Sequence, residues 1–200
     1  MLVLASSSPR RAELLREWGY CFTTVFAPVE EKAVPGLPPA ALVRRLAELK
    51  ASAGAQKWGG LGGKADDLIL AADTVVVLDN RILGKPGSPE IAKQMLQRLS
   101  GRTHVVLTGV ALRQLSGAEE SGVVATQVTF RQLDAAEVER YVASGEPMDK
   151  AGAYGIQGGA GGFVADVQGS YTNVVGLPME YVSKQLRAWR IEQGGIAPRG

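Results

Sequence analysis

The sequence predicts an α/β fold built on a mixed β-sheet flanked by helices, and three observations carry that expectation. Apolar strand-like runs alternate with helix-like segments over the first hundred residues. Later segments, His104 to Arg113 and Gly122 to Gln132, alternate in polarity and read as paired strands joined by a polar hairpin. Hydrophobic residues make up 46% of the 200 and charged residues 21%, enough apolar surface for a substantial core.

Leu2 to Ala5 reads as a buried strand that ends in Ser6-Ser7-Ser8-Pro9. Ser8 suits a helix N-cap and Pro9 the first helical position. Leu14, Leu15 and Trp18 form the inward stripe of that helix, and Gly19 stops it. Phe22 to Phe26 reads as a second strand. Residues 27–39 hold four prolines and three charges and read as a loop. A helix is expected from about Ala40 to Ala55 with Leu42, Leu46 and Leu49 on one face, followed by an exposed Gly-rich stretch from Lys57 to Lys64.

Leu68 to Leu78 is the strongest strand, almost wholly apolar apart from Asp73-Thr74. Ser88-Pro89 opens a helix expected to bury Ile91, Met95 and Leu99. Asp134 with Glu137 is a capping-box signature for a helix running to about Ala143. Two short strands are expected near 163–167 and 171–175, then a last helix after Pro178 with Tyr181, Val182, Leu186 and Trp189. A single domain over 1–193 with a frayed tail over 194–200 is the expected organisation.

Lys plus Arg number 22 and Asp plus Glu 20, a formal charge of +2 with no basic half or tail, so a nucleic-acid partner is not expected. No apolar run approaches the roughly 18 residues that span a bilayer, and the opening residues lack the basic segment of a signal peptide. No membrane association and a cytoplasmic location are the expectations. One cysteine, Cys21, excludes an intramolecular disulfide and a multi-thiolate zinc centre, and it reads as a core filler. The one histidine, His104, reads as the start of a strand. Any metal must then be a hard ion on carboxylates, with Mg²⁺ or Mn²⁺ first.

Five constellations carry chemistry. Ser6-Ser7-Ser8-Pro9-Arg10-Arg11 puts two arginines at the positive end of a helix. They either bend into solvent or converge with hydroxyls and backbone N–H groups on an anion such as phosphate. Asp73 stands inside an apolar strand, where an unpaired carboxylate is costly. It reads either as a satisfied structural group or as the acid that a metal or an attacking water requires. Lys85, between Gly84 and Pro86, suits a phosphate or an exposed turn, and Lys50 reads most simply as a solvated helix lysine. Glu30-Glu31 is either a divalent-cation pair or a soluble turn. Gln157 lies in the Gly-rich run Gly155 to Gly162, either as an incidental loop residue or as a planar amide able to pair with the N–H/C=O edge of uracil or thymine. The sequence has neither the P-loop pattern nor a GxSxG.

The runs LASSSPRRAELL, LAELKA, AADTVV, GKP, LSGRTH with TGVAL, DKAGAYGIQG and VGLP follow one another in an order that resembles the Maf-type nucleoside triphosphate pyrophosphatases, from about Leu4 to Leu186. The resemblance implies an elongated mixed α/β fold like that of inosine triphosphatases. It also implies hydrolysis of a nucleoside triphosphate between the α and β phosphates with a divalent cation. Asp73 matches the catalytic proton acceptor. Ser7, Arg11, Lys50 and Lys85 match the groups around the triphosphate, and Glu30 or Glu31 matches a loop acid that shares metal with Asp73. Arg10, Thr74 and Gln157 are similar to the branch acting on dTTP and UTP, whereas the 7-methyl-GTP branch carries Trp, Gln and Glu there. Other activities compatible with the resemblance are regulation of septum formation through a partner and a pyrophosphatase for inosine triphosphate or 7-methyl-GTP. A homodimer is the expected assembly.

Overall fold

The computed structural model describes residues 1–30 and 36–194. Strands β1 (Leu2–Ala5), β2 (Thr23–Val25), β3 (Leu68–Leu78), β4 (Arg81–Leu83), β5 (Thr103–Gln114), β6 (Glu119–Phe130) and β7 (Val164–Gln168) form a mixed sheet. Its order is β2-β1-β3-β5-β6-β7, with β4 paired to β3. β1 runs parallel to both β2 and β3, while β3–β4 and β6–β7 are antiparallel. The helices are α1 (Pro9–Glu17), α2 (Pro39–Gly60), α3 (Pro89–Leu99), α4 (Ala135–Ala143), α5 (Tyr171–Val175) and α6 (Met179–Ala188). No described helix is long and apolar enough to cross a membrane.

The chain divides into two compact units: Met1–Asp73 with Thr108–Val124 and Gly176–Gly200, and Thr74–Leu107 with Ala125–Val175. Each has its own core. In the first, Val3, Ala5, Val25, Ile69, Ala71 and Ala111 of the sheet pack on Ala47, Ala51 and Ala55 of α2. This differs from the leucine face expected for that helix. Val43, Leu46, Ala47, Ala51, Gly54 and Ala55 are buried, whereas Leu49 is 42% exposed. The reason is proximity. A Cβ on Gly54 would lie 2.6 Å from the Ala5 Cβ, and one on Gly109 would run into the Val43 carbonyl. Backbones this close select small residues, and the helix turns its small side to the sheet.

In the second unit, Val76, Leu96, Leu99, Val106, Phe130, Tyr154 and Phe163 are among the core residues. α3 again presents a small residue, burying Ala92, Leu96 and Leu99 and leaving Ile91 44% exposed. The capping box of α4 forms as expected: Asp134 accepts from the Glu137 N–H and Glu137 accepts from the Asp134 N–H. The segment 171–175, expected as a strand, is helix α5. The Ser170 hydroxyl accepts from the Asn173 N–H at 3.1 Å, and the buried Asn173 amide donates to Val106 O and Thr126 Oγ1. These polar bonds override the β-propensity of Tyr-Thr-Asn-Val-Val. The expected second strand shortens to Thr23–Val25, and α2 continues past Ala55 to Gly60, into the Gly-rich stretch from Lys57 to Lys64, which is largely exposed as expected. Cys21 is exposed rather than a core filler.

Candidate active site

In the first unit, β1 delivers the chain to a turn and α1 carries it away. Ser8 occupies the N-cap of α1 with Pro9 behind it, as expected, but its hydroxyl makes no capping bond. Instead the Ser6 hydroxyl accepts from the Ser8 N–H at 3.1 Å. The first turn of α1 has no acidic residue, so Arg10 and Arg11 add to the positive end of the helix dipole. Ser7 is exposed and Arg10 half-buried.

Arg11 is held by the fold itself. Its Nε donates to Gly176 O at 2.8 Å and its Nη1 to Ala72 O at 2.8 Å and Ser6 Oγ at 3.4 Å. One guanidinium therefore ties the turn after β1, the residue before Asp73 and the VGLP segment. Gly176 takes φ 128°, a left-handed conformation that favours glycine and aims its carbonyl at Arg11. The sequence contained the VGLP signal but no reason to assign it this role.

Asp73 sits in the middle of β3 and is 7% exposed. Lys50 Nζ donates to its Oδ1 at 2.6 Å. Lys50 is therefore not the solvated lysine that its helix position suggested, because the small face of α2 brings the helix down on the sheet and carries Lys50 with it. Asp73, Lys50 and Arg11 thus come together around the middle of β3. Glu30 lies in the same unit and is exposed. Glu31 falls outside the described residues. No group of three or more His, Cys, Asp or Glu is gathered among the described residues.

The remaining expected residues belong to the second unit. Thr74 follows Asp73 on β3 and is half-buried, while Lys85 and Gln157 are exposed. The GKP loop and the DKAGAYGIQG run come together, since the Gly152 N–H donates to Gly84 O at 3.0 Å. Gly152 (φ 68°) and Ala153 (φ 61°) both lie in the left-handed region. A Cβ on Gly152 would lie 2.9 Å from Val76 Cγ2. Tyr154 follows, buried, with its hydroxyl 2.7 Å from His104 Nε2. His104 is 2% exposed rather than merely the start of a strand. Burial pushes its imidazole down to about 4 and pushes the Tyr154 phenol up.

Two residues of this unit escaped the sequence reading. The Glu146 carboxylate accepts from the Tyr141 hydroxyl and the Gly159 N–H, and the Tyr141 oxygen accepts from the Gly155 N–H. Nothing in Ser-Gly-Glu-Pro marks Glu146 off from a surface acid.

The arrangement in the first unit is suited to a polyanion: a basic helix start, a lysine and a carboxylate converge on one strand. The chain belongs to the Maf family, whose model, described as Maf-like protein, matches residues 1–189. It is 52% identical over 197 residues to a dTTP/UTP pyrophosphatase of Desulfitobacterium hafniense, covering 98% of this chain and 89% of that one. A dTTP/UTP pyrophosphatase of Moorella thermoacetica is 50% identical over 97% of each chain. Among solved structures, a nucleoside-triphosphatase (dITP/XTP pyrophosphatase) from Mycobacterium abscessus overlaps 99% of both chains at 16% identity, with a TM-score of 0.42.

Proposed function

We infer that this chain is a nucleoside triphosphate pyrophosphatase that converts dTTP and UTP to the monophosphate and pyrophosphate. The observation that carries this is the identity of about half the positions, over nearly the full length, to proteins bearing that activity as their name.

A nucleoside triphosphate carries about four negative charges, so neutralisation dominates both binding and departure of pyrophosphate. Arg11, Lys50 and Lys85 supply positive charge for the phosphates, and Ser7 a hydroxyl. Asp73 takes the proton of the attacking water. Its Oδ1 is engaged by Lys50, so Oδ2 is the oxygen that receives that proton. Arg11 orients the carboxylate by holding the carbonyl of the preceding residue, Ala72. Arg10, Thr74 and Gln157 select the base, with the Gln157 amide offering one donor and one acceptor to the N–H/C=O edge of uracil or thymine.

The donor set fits a hard divalent cation carried in with substrate. One strand carboxylate, Asp73, with Glu30 or Glu31 matches the one or two protein carboxylates that Mg²⁺ takes beside substrate phosphates and water. When bound, Mg²⁺ or Mn²⁺ would polarise the α-phosphorus.

The test is pyrophosphate release from a panel of nucleoside triphosphates with Mg²⁺ or Mn²⁺. Turnover of dTTP and UTP well above CTP, ITP and 7-methyl-GTP is expected. Turnover led by 7-methyl-GTP or ITP would overturn the substrate assignment, and no turnover of any nucleotide would overturn the activity.

A further inference from the structure

We propose that Glu146 is the positioning residue for base selection: its carboxylate holds both ends of the turn carrying Gln157 and so sets the direction from which Gln157 meets the base. This rests on the reading that Gln157 selects the base.

The two anchors lie symmetrically about Gln157. Two residues after it, the Gly159 N–H donates to Glu146 Oε2 at 3.0 Å. Two residues before it, the Gly155 N–H donates to the Tyr141 hydroxyl at 3.2 Å, and that hydroxyl donates to Glu146 Oε1 at 3.0 Å. Both carboxylate oxygens are thus committed, each to one end of the turn. Burial pushes the Tyr141 phenol up, so the hydroxyl keeps the proton this relay needs.

The glycines around Gln157 follow from the same geometry. A Cβ on Gly158 would collide with Glu146 Oε1, and one on Gly155 would lie 2.7 Å from Lys150 Cε. The backbone is therefore wrapped directly on the carboxylate. Glu146 is itself held from behind: the Ser144 hydroxyl accepts from its N–H at 3.3 Å, and Lys150 Nζ donates to its carbonyl at 2.6 Å. Gln157 is exposed, so the packing around its own side chain does not aim the amide. The backbone on either side of it does, and a displacement of about 1 Å at such a group is enough to spoil recognition.

Glu146→Gln keeps the size but offers one oxygen, which cannot serve both donors, and its amide N–H₂ faces the other donor. The experiment measures kcat and KM for UTP and CTP in the wild type, Glu146→Gln, Tyr141→Phe and Gln157→Ala. Hydrogen exchange at Gly155 and Gly159 is read alongside. Glu146→Gln is expected to lower the UTP/CTP ratio of kcat/KM by about tenfold. It should do so mainly through KM for UTP, with faster exchange at both glycines. Tyr141→Phe, which frees only one end, is expected to lower the ratio by about threefold.

If Gln157→Ala abolishes the preference while Glu146→Gln and Tyr141→Phe leave it intact, the inference fails and the base-reading role stands. If Gln157→Ala leaves the preference intact, base reading by Gln157 fails and Glu146 falls with it. Should Glu146→Gln not fold, Tyr141→Phe decides on the same ratio.

Discussion

Lys50 on α2 and Asp73 on β3 meet at 2.6 Å, and the glycines of the first unit explain why they can. Gly54 on the helix lies against the Ala5 side chain and Gly109 on β5 against the Val43 backbone, a close approach of helix to sheet that brings Lys50 within reach of the strand.

Asp73→Asn is expected to lower kcat for dTTP and UTP by on the order of 100-fold or more, with nucleotide still bound. Lys50→Met leaves a nearly buried carboxylate without its partner and is expected to cost about 3 kcal/mol of stability as well as activity. Steady-state kinetics with urea unfolding of both variants checks this. Near-normal turnover in Asp73→Asn would remove it from the chemistry.

Gly109→Ala is expected to destabilise the protein by about 3 kcal/mol, because its Cβ would meet the rigid Val43 backbone rather than a movable side chain. Gly60→Ala, where nothing lies within 4 Å of the new carbon, is expected to raise stability by about 0.5 kcal/mol through helix propensity. Thermal melts of the pair test the contrast. Equal effects would contradict the close approach of α2 to the sheet.

His104 is held neutral by burial, at about 4 against an ordinary 6.5. A depressed histidine binds protons more readily in the unfolded chain. Its contribution is therefore complete above about pH 6.5 and is lost as pH falls toward 4, a total of about 3 kcal/mol. The stability of wild type relative to His104→Phe should accordingly fall from pH 7 to pH 4.5 in urea titrations. A gap that stays constant would mean that His104 is not the titrating group.

Asp134→Ala removes one half of the α4 capping box and is expected to cost about 1 kcal/mol without changing kcat. A chemical-denaturation midpoint with parallel kinetics reads both.

What could be read from the chain followed the range of the interaction. β3 and the α4 cap are specified by neighbours within a few residues, and Leu68–Leu78 and Asp134 with Glu137 came out where their patterns placed them. The faces of α2 and α3 came out only in part: Leu46 and Leu99 are buried as expected, while Leu49 and Ile91 are exposed and Ala47, Ala51, Ala92 and Leu96 are buried beside them. The sheet admits whichever side lets the backbones approach. Asp73 was legible as a carboxylate out of place in an apolar strand. Its partner was not, since Lys50 differs from any surface lysine only through the tertiary packing of its helix. Glu146 was invisible for the same reason: its partners Tyr141 and Gly159, and Gly155 behind Tyr141, are brought together by the tertiary fold rather than by a repeating pattern. Residues 171–175 have strand composition, and the bonds of Ser170, Asn173 and Thr126 fold them otherwise.

The Arg11 clamp has a consequence for synthesis on the ribosome. Its guanidinium closes on Gly176, 165 residues downstream, so the basic turn made at the outset cannot be completed until almost the whole polypeptide has emerged. A nascent chain halted before Gly176 would carry Arg11 without the carbonyl that its Nε holds in the finished fold. Closure of the Arg11 clamp is in this way a late event, set by a contact of high sequence separation.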